Sequence, residues 1–292
     1  MSMKVGGIAA VESYDIRKLR RVNLQVGPTG AGDANAPCSV AAVVDVETTG
    51  LDQSTDKVIE LAIRRFKYDA AGYITQIGER RSWREDPGFP LPVEITRLTG
   101  ITDEDVAGQQ IDDEAAIDIL ASADLVIAHH AQFDRPMVER RLSDLPQLAW
   151  SCSCHEIDWR EAGFEGRSLG WLCAQAGYFF DAHNAESDID AVIQLLQHSN
   201  AEGHPFMAEL AENAASDSYL IEALGSAFET KDALRLRGYS WDPSSRVWWI
   251  EVFDRDYITE QAWLAQEIYK AGRGATAMGP RITRRTALER YT

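Results

Sequence analysis

Cysteine is scarce, with four in 292 residues. That is too few for a disulfide framework in a chain of this length, and it suits a reducing cytoplasm. No stretch reaches the roughly 18 consecutive apolar residues of a transmembrane helix, so a membrane span is excluded. The first ten residues are too broken by glycine, and too short in apolar length, to read as a signal peptide. Positive charge is also in deficit: 29 Lys and Arg against 46 Asp and Glu give a net charge of −17. Such a balance argues against a protein that coats nucleic acid through overall positive charge. What is present, 45% hydrophobic and 26% charged residues, is the composition of a globular chain. Its length allows one large domain or two smaller ones.

The location of the charge says more than its total. Residues 1–38 carry +2 and residues 215–292 carry 0, which leaves −19 in the middle of the chain. The first 38 residues read as a flexible extension, with a short basic helix over Ser13–Asn23 and a Gly-, Pro- and Ala-rich linker over Gln25–Ser39.

From Val40 the pattern changes. Val40–Val46 is a short apolar run, as expected of a strand buried on both faces. Lys57–Tyr68 and Tyr73–Trp83 read as two further strands joined by an Asp69-Ala-Ala-Gly72 turn, and Leu125–Ala128 as a buried fourth. Helices are expected over Ile111–Ala121, Gln132–Leu142, Leu169–Ala176 and Ala185–His198. Strands followed by strand–helix alternation predict an α/β domain with a mixed sheet over residues 39–205. Residues 215–272 then read as a small α+β module: a helix over Phe228–Arg237, a hairpin over Tyr239–Val252 turning at Asp242–Ser245, and a helix over Ile258–Ala271. Residues 273–292 read as a basic tail, disordered or holding substrate through Arg273, Arg281, Arg284, Arg285 and Arg290.

The chemistry centres on Asp45-Val-Glu47-Thr48-Thr49-Gly50-Leu51. On a strand, residues i and i+2 face one side, so Asp45 and Glu47 point together at the end of an apolar strand. Two such carboxylates repel each other and lose solvation, and divalent cations relieve both problems. Two further acids stand at the start of helices: Asp134, after Ala128-His-His-Ala-Gln-Phe133, and Asp188, after His183-Asn-Ala-Glu-Ser187. Either one alone could simply be a first-turn acid serving the helix dipole.

Together, Asp45-x-Glu47, Asp134 and His183-x-x-x-x-Asp188 resemble the three motifs of the DEDDh 3′–5′ exonucleases, among them the epsilon-type proofreading exonucleases of bacterial DNA polymerase III. Ile95–Glu104, Trp150-Ser-Cys-Ser153 and Ser168–Leu172 resemble family segments between the motifs, and the likeness runs from about Val40 to Ser199. It implies an RNase H-like α/β fold: a mixed sheet flanked by helices, here with the small α+β C-terminal module beside it. It further implies that Asp45, Glu47, Asp134 and Asp188 hold two Mg²⁺ or Mn²⁺ ions and that His183 is the general base. Thr48, Thr49 and Leu51 would touch the terminal nucleotide, with Ile101 and Phe133 against its base or sugar. The product would be a nucleoside 5′-monophosphate released from a DNA 3′ end, single-stranded or frayed, in a proofreading or repair setting with a polymerase or repair partner. Two departures stand out: His130 where the family carries Asn, and Asn184 where it carries Arg. Neither removes a metal ligand or the base; both bear on substrate contacts and rate.

The chemistry agrees with this independently. Two ions about 3.5–4 Å apart can generate a nucleophile near neutral pH and stabilise charge at phosphorus. Imidazole is the side chain that ordinarily changes charge between about pH 5 and 8, which suits a base.

Other features have plainer readings. Cys152-Ser-Cys154-His155 lacks a second ligand pair at zinc spacing, and the cysteines read as structural. The seven acids of Asp103–Asp118 read as a solvated loop and helix face. In the C-terminal module most of the Trp residues read as the core of a small domain short of Leu and Ile; the alternative makes Arg235, Arg237, Trp241 and Trp249 contacts to nucleic acid, by stacking and cation–π attraction. Alternation places Trp248 and Trp249 on opposite faces of their strand. Two other functions are compatible with the same residues. One is a 3′–5′ exoribonuclease; the other is a non-catalytic protein of the same fold that binds nucleic acid or polymerase.

Overall fold

The computed structural model describes residues 17–33, 35–270 and 279–292. Its strands in chain order are β1 (Arg20–Arg21), β2 (Gly27–Pro28), β3 (Cys38–Thr48), β4 (Val58–Asp69), β5 (Ile74–Arg84) and β6 (Leu125–Ala128). There follow β7 (Trp150–Cys152), β8 (Tyr178–Phe179), β9 (Ser218–Glu222), β10 (Ser240–Asp242), β11 (Val247–Phe253) and β12 (Arg281–Arg285). The helices are α1 (Val93–Thr99), α2 (Asp103–Val106), α3 (Asp113–Ala121), α4 (Ala131–Arg141), α5 (Leu169–Ala176), α6 (Ala185–Leu196), α7 (Phe206–Ala215), α8 (Lys231–Arg237) and α9 (Asp254–Trp263). Among the described residues, no helix is long and apolar enough to cross a membrane.

The main sheet has the order β2-β5-β4-β3-β6-β7. β2 through β3 are antiparallel neighbours, while β3, β6 and β7 run parallel. This is the expected mixed sheet. The β4–β5 hairpin turns at Gly72, whose φ is +81°. A Cβ there would lie 2.4 Å from the backbone nitrogen of Ala208, so the turn needs glycine to let α7 approach.

Alternation along β3 assigns its faces. Ala41 and Val43 join one apolar cluster with α5, α6 and α7, whereas Ala42, Val44 and Val46 join the other with α3 and α4. Asp45 and Glu47 therefore continue the face covered by α6. That helix buries Ile189, Val192, Ile193, Leu195 and Leu196. Each such side chain contributes roughly 1.5–3 kcal/mol, which fixes the helix, and Asp188 with it, against the sheet.

The second sheet, β10-β11-β9-β12, is antiparallel throughout. Its core comprises Ile221, Leu234, Tyr239, Leu264 and Ile268, and α9 runs on into a π-helical turn at Leu264–Ile268.

Several boundaries differ from the sequence reading. No helix forms over residues 17–23; Arg20 and Arg21 instead pair with β8, and the remainder of Ser13–Asn23 lies outside the described residues. The supposed flexible linker is bound: β2 extends the main sheet, Thr29 Oγ1 donates to Ile74 O at 2.6 Å, and Cys38 already belongs to β3. The first domain does not stop at 205, because Phe206, Met207 and Leu210 of α7 sit in its core. Nor is the end of the chain a loose basic tail. Arg281–Arg285 supplies an edge of the second sheet, and Trp150 N donates to Ala287 O at 2.8 Å, which ties the end of the chain to β7. Arg290 is 1% exposed. A run of charged residues reads as solvated in sequence, and here tertiary pairing overrides that expectation.

Candidate active site

β3 outruns its parallel neighbour: β6 pairs only with Ala41, Ala42 and Val43, and then gives way to the turn before α4. The Val46 N–H is therefore left without a strand partner on that side, and the Asp134 carboxylate accepts it. Asp134 N in turn donates to His130 O at 3.0 Å, in the first turn of α4. A one-residue irregularity between Glu47 and Thr48 ends regular pairing with β4 at this same point.

On the other face, Asn184 caps α6 by accepting from Ser187 N at 3.0 Å. Its own N–H donates to Asp188 Oδ2 at 3.0 Å. His183 precedes the cap with φ +63°, a left-handed backbone that turns the chain sharply into the helix. Its imidazole is exposed and makes no hydrogen bond among the described residues.

Carboxylate oxygens of Asp45, Glu47 and Asp188 lie within 4.8 Å of one another. Asp134 adds its charge to theirs, raising the proton affinity of Asp45. Desolvation pushes the Asp45 carboxyl well above the ordinary range, reinforced by the charges of Asp134, Asp188, Glu47 and Glu60. Desolvation, then the neighbouring acids, lifts Glu47 to about 8. Asp134 and Asp188 are lifted to about 7, again chiefly by burial, although backbone N–H groups oppose the shift. Among the described residues, none of the four acids forms an ion pair, so the negative charge has no counterpart within the protein.

That donor set fits a hard divalent cation: oxygen ligands only, converging, and short of positive charge. Glu60 is a member of this environment that sequence reasoning missed. It stands across from Glu47 on β4, 3% exposed, 3.4 Å from Arg84 Nε, and accepts from Ala185 N at 3.3 Å. Only the strand register brings it there, and register is not written in local sequence.

The expected nucleotide contacts divide. Leu51 is 85% exposed beside the carboxylates, and Phe133 is half-buried on α4. The hydroxyls of Thr48 and Thr49 are engaged within the loop, donating to Gly50 O at 2.6 Å and Asp56 Oδ1 at 2.8 Å. Ile101 is 2% exposed, packed with Ile59, Leu91 and Val106. At that burial it has no free face for a base, contrary to the sequence reading.

A groove of about 810 Å³ opens between the two sheets. Gln53, Gln132, His155 and Arg167 line it on one side and Trp241 and Trp249 on the second sheet; the four carboxylates are not among its lining residues. Trp248 faces the other way, into the module's core. Arg237 lines the groove while paired with Glu260 at 2.9 Å, and Arg235 lies outside it.

Residues 42–196 match the family model of the RNase T exonucleases. The chain is similar to the PolC-type DNA polymerase III of Clostridium perfringens, 32% identical over 105 residues, which is 35% of this chain and 7% of that protein. It is similar to the PolC-type enzyme of Bacillus subtilis, 28% identical over 188 residues, 59% of this chain and 12% of that protein. The matched stretches are thus a small fraction of those relatives' length. Among solved structures, Exonuclease X in complex with 5′-overhanging duplex DNA aligns with a TM-score of 0.41 and 21% identity, over 57% of this chain and 99% of that one. Exonuclease I aligns with a TM-score of 0.47 and 16% identity, over 84% and 62%. The family match spans more than half of the sequence and contains all four carboxylates and His183, and the chain belongs to the RNase T family of exonucleases.

Proposed function

We propose that the chain is a metal-dependent 3′–5′ exonuclease that removes nucleoside 5′-monophosphates from DNA 3′ ends. The observation that carries this reading is the convergence of Asp45, Glu47 and Asp188 within 4.8 Å, with Asp134 beside them and, among the described residues, no ion pair to any of the four. Asp45, Glu47, Asp134 and Asp188 would hold two Mg²⁺ or Mn²⁺ ions. When bound, the ions lower the pKa of the attacking water and offset charge at the transferring phosphorus. Asp134 is held by the Val46 N–H and Asp188 by the Asn184 N–H, so both carboxylates are oriented before substrate arrives. His183, exposed at the lip of α6, takes the proton of the attacking water. Leu51 and Phe133 offer apolar surface to the terminal nucleotide.

The groove supports a hold on the strand behind the terminus. Trp249 gives a stacking surface that tolerates any base, worth about 1–3 kcal/mol, while the Trp241 ring packs against Trp248 at 5.4 Å. The likeness to polymerase-associated exonucleases supports a proofreading or repair setting with a polymerase partner.

The test is incubation of 3′-terminated DNA and RNA oligonucleotides with Mg²⁺, with EDTA and Asp45→Ala as controls. Mononucleotide release from DNA that both controls abolish is the expected result. Release from RNA alone would transfer the same chemistry to RNA 3′ ends. Binding without cleavage in Mg²⁺ or Mn²⁺ would leave a non-catalytic binding protein. His183→Ala is expected to lose about 10²–10⁴-fold in turnover while still binding metal, and unchanged turnover would refute its role as base.

A further inference from the structure

A second cluster of metal-ligating side chains stands apart from the carboxylates. A ring nitrogen of His130, the Cys154 thiol and a ring nitrogen of His155 lie within 4.8 Å of one another. They come from two segments distant in sequence. His130 is the residue before α4, and Cys154 and His155 occupy the turn after β7.

The scaffold beneath them is stitched together independently of any ion. Ser153 N donates to Ala128 O at 3.0 Å and Cys154 N to His129 O at 3.2 Å. The neighbouring His129 ring bridges the same elements, its Nδ1 2.9 Å from Ser153 Oγ and its Nε2 2.8 Å from Arg167 O. Cys152 is fully buried, with its thiol directed to His129 O at 3.3 Å. Both cysteines belong to the apolar cluster on this face, but only the Cys154 thiol, 3.7 Å from Arg167 O, also lies near two imidazoles.

We propose that His130, Cys154 and His155 form a zinc site. Two imidazoles and one thiolate are borderline-to-soft donors, which select zinc over magnesium. The carboxylate pocket, with oxygen donors alone, has the opposite preference. Three protein ligands leave one tetrahedral position open, and because both histidines are exposed, solvent reaches it. The side chain nearest to competing is Arg167, whose Nη1 is 3.1 Å from His155 Nδ1. It is exposed, so an arriving ion displaces it at low cost. On binding, the Cys154 thiol gives its proton to solvent and a zinc–sulfur bond replaces a zinc–water bond. The ion would clip the β7 turn to the start of the helix that carries Asp134. It would also stand on the wall of the groove, which His155 lines.

The test uses the full chain, stripped with EDTA and dialysed against excess Mg²⁺ so that hard-oxygen sites are filled, with Zn²⁺ then added. Bound zinc is measured by mass spectrometry. In parallel, Co²⁺ replaces Zn²⁺, and the thiolate-to-cobalt charge-transfer band is read in the near ultraviolet. The wild-type chain is expected to retain one zinc and to show the band. Cys154→Ser is expected to lose the band, and both it and His155→Ala to weaken zinc binding by more than about tenfold. Cys38→Ser, at a remote thiol, keeps both signals. His155 is exposed, so its replacement leaves a folded chain in which the measurement can be made. Failure of the wild type to retain zinc against Mg²⁺, or equal retention by Cys154→Ser and His155→Ala, overturns the site. These readouts are independent of exonuclease activity.

Discussion

Two buried clusters of charge in this molecule are handled in opposite ways. Around Arg290, near the end of the chain, every charge has partners. Its guanidinium donates to Ser218 Oγ and Asn213 O, each at 2.9 Å, and to Ser216 O. Glu156 lies 3.8 Å away and accepts from Tyr291 Oη at 2.7 Å. Arg135 closes the clasp by donating to Arg290 O at 2.6 Å and Leu288 O at 2.8 Å. Around Asp45, by contrast, four acids gather with no ion pair among the described residues. Burial of charge costs several kcal/mol per ion unless it is compensated. Where the protein compensates it internally, the role is to hold the last residues against both sheets. Where it does not, the compensation has to come from outside, and that distinguishes a site from a strut.

Replacing one group in each cluster should separate the two roles. Asp45→Asn is expected to lower turnover by about a thousandfold or more, because it removes a metal ligand. It is also expected to raise the melting temperature of the metal-free chain near neutral pH, because it removes a buried carboxyl that must take up a proton on folding. A lower melting temperature would mean that Asp45 has a structural partner after all. Arg290→Ala should do the reverse. Removing one member of a buried, paired cluster costs about 3–5 kcal/mol, readable in urea unfolding, while metal binding at the carboxylates is retained. Loss of metal binding in a still-folded Arg290→Ala would show that the clusters are not independent. The smallest effect is expected at the groove: Trp249→Ala should weaken binding of a single-stranded oligonucleotide by about 1–3 kcal/mol, with turnover on a dinucleotide unchanged.

The four acids were legible in sequence only as a set that matches a family pattern. Period two places Asp45 beside Glu47, while Asp134 and Asp188, each in the first turn of a helix, would alone read as ordinary first-turn acids. The hairpin of β10 and β11 was legible from the same period of two, with alternation sending Trp248 inward and Trp249 outward. What stayed hidden depends on long-range pairing. Glu60 reaches Glu47 only through register, and His130 meets Cys154 and His155 only because β6 and β7 are neighbours. Gly27–Pro28 has the composition of a linker, and Arg281–Arg285 that of a solvated tail. Both are edge strands, whose identity comes from an existing sheet and not from their own apolar pattern.

The most direct measurement is unfolding stability as a function of pH, with EDTA and with Mg²⁺. In the metal-free chain Glu47, Asp134 and Asp188 hold their protons to about pH 7–8, against roughly pH 4 for unfolded carboxyls. Between those limits the folded chain binds more protons than the unfolded one, so stability in EDTA should fall as pH rises through this window. Because Mg²⁺ competes with those protons, it should restore stability, and more at pH 8 than at pH 6. The pH slope in EDTA should be shallower in Asp45→Asn. A metal-free stability that is flat or rising over this window, with no gain from Mg²⁺ at pH 8, would contradict the claim that the acids are held unpaired for a cation.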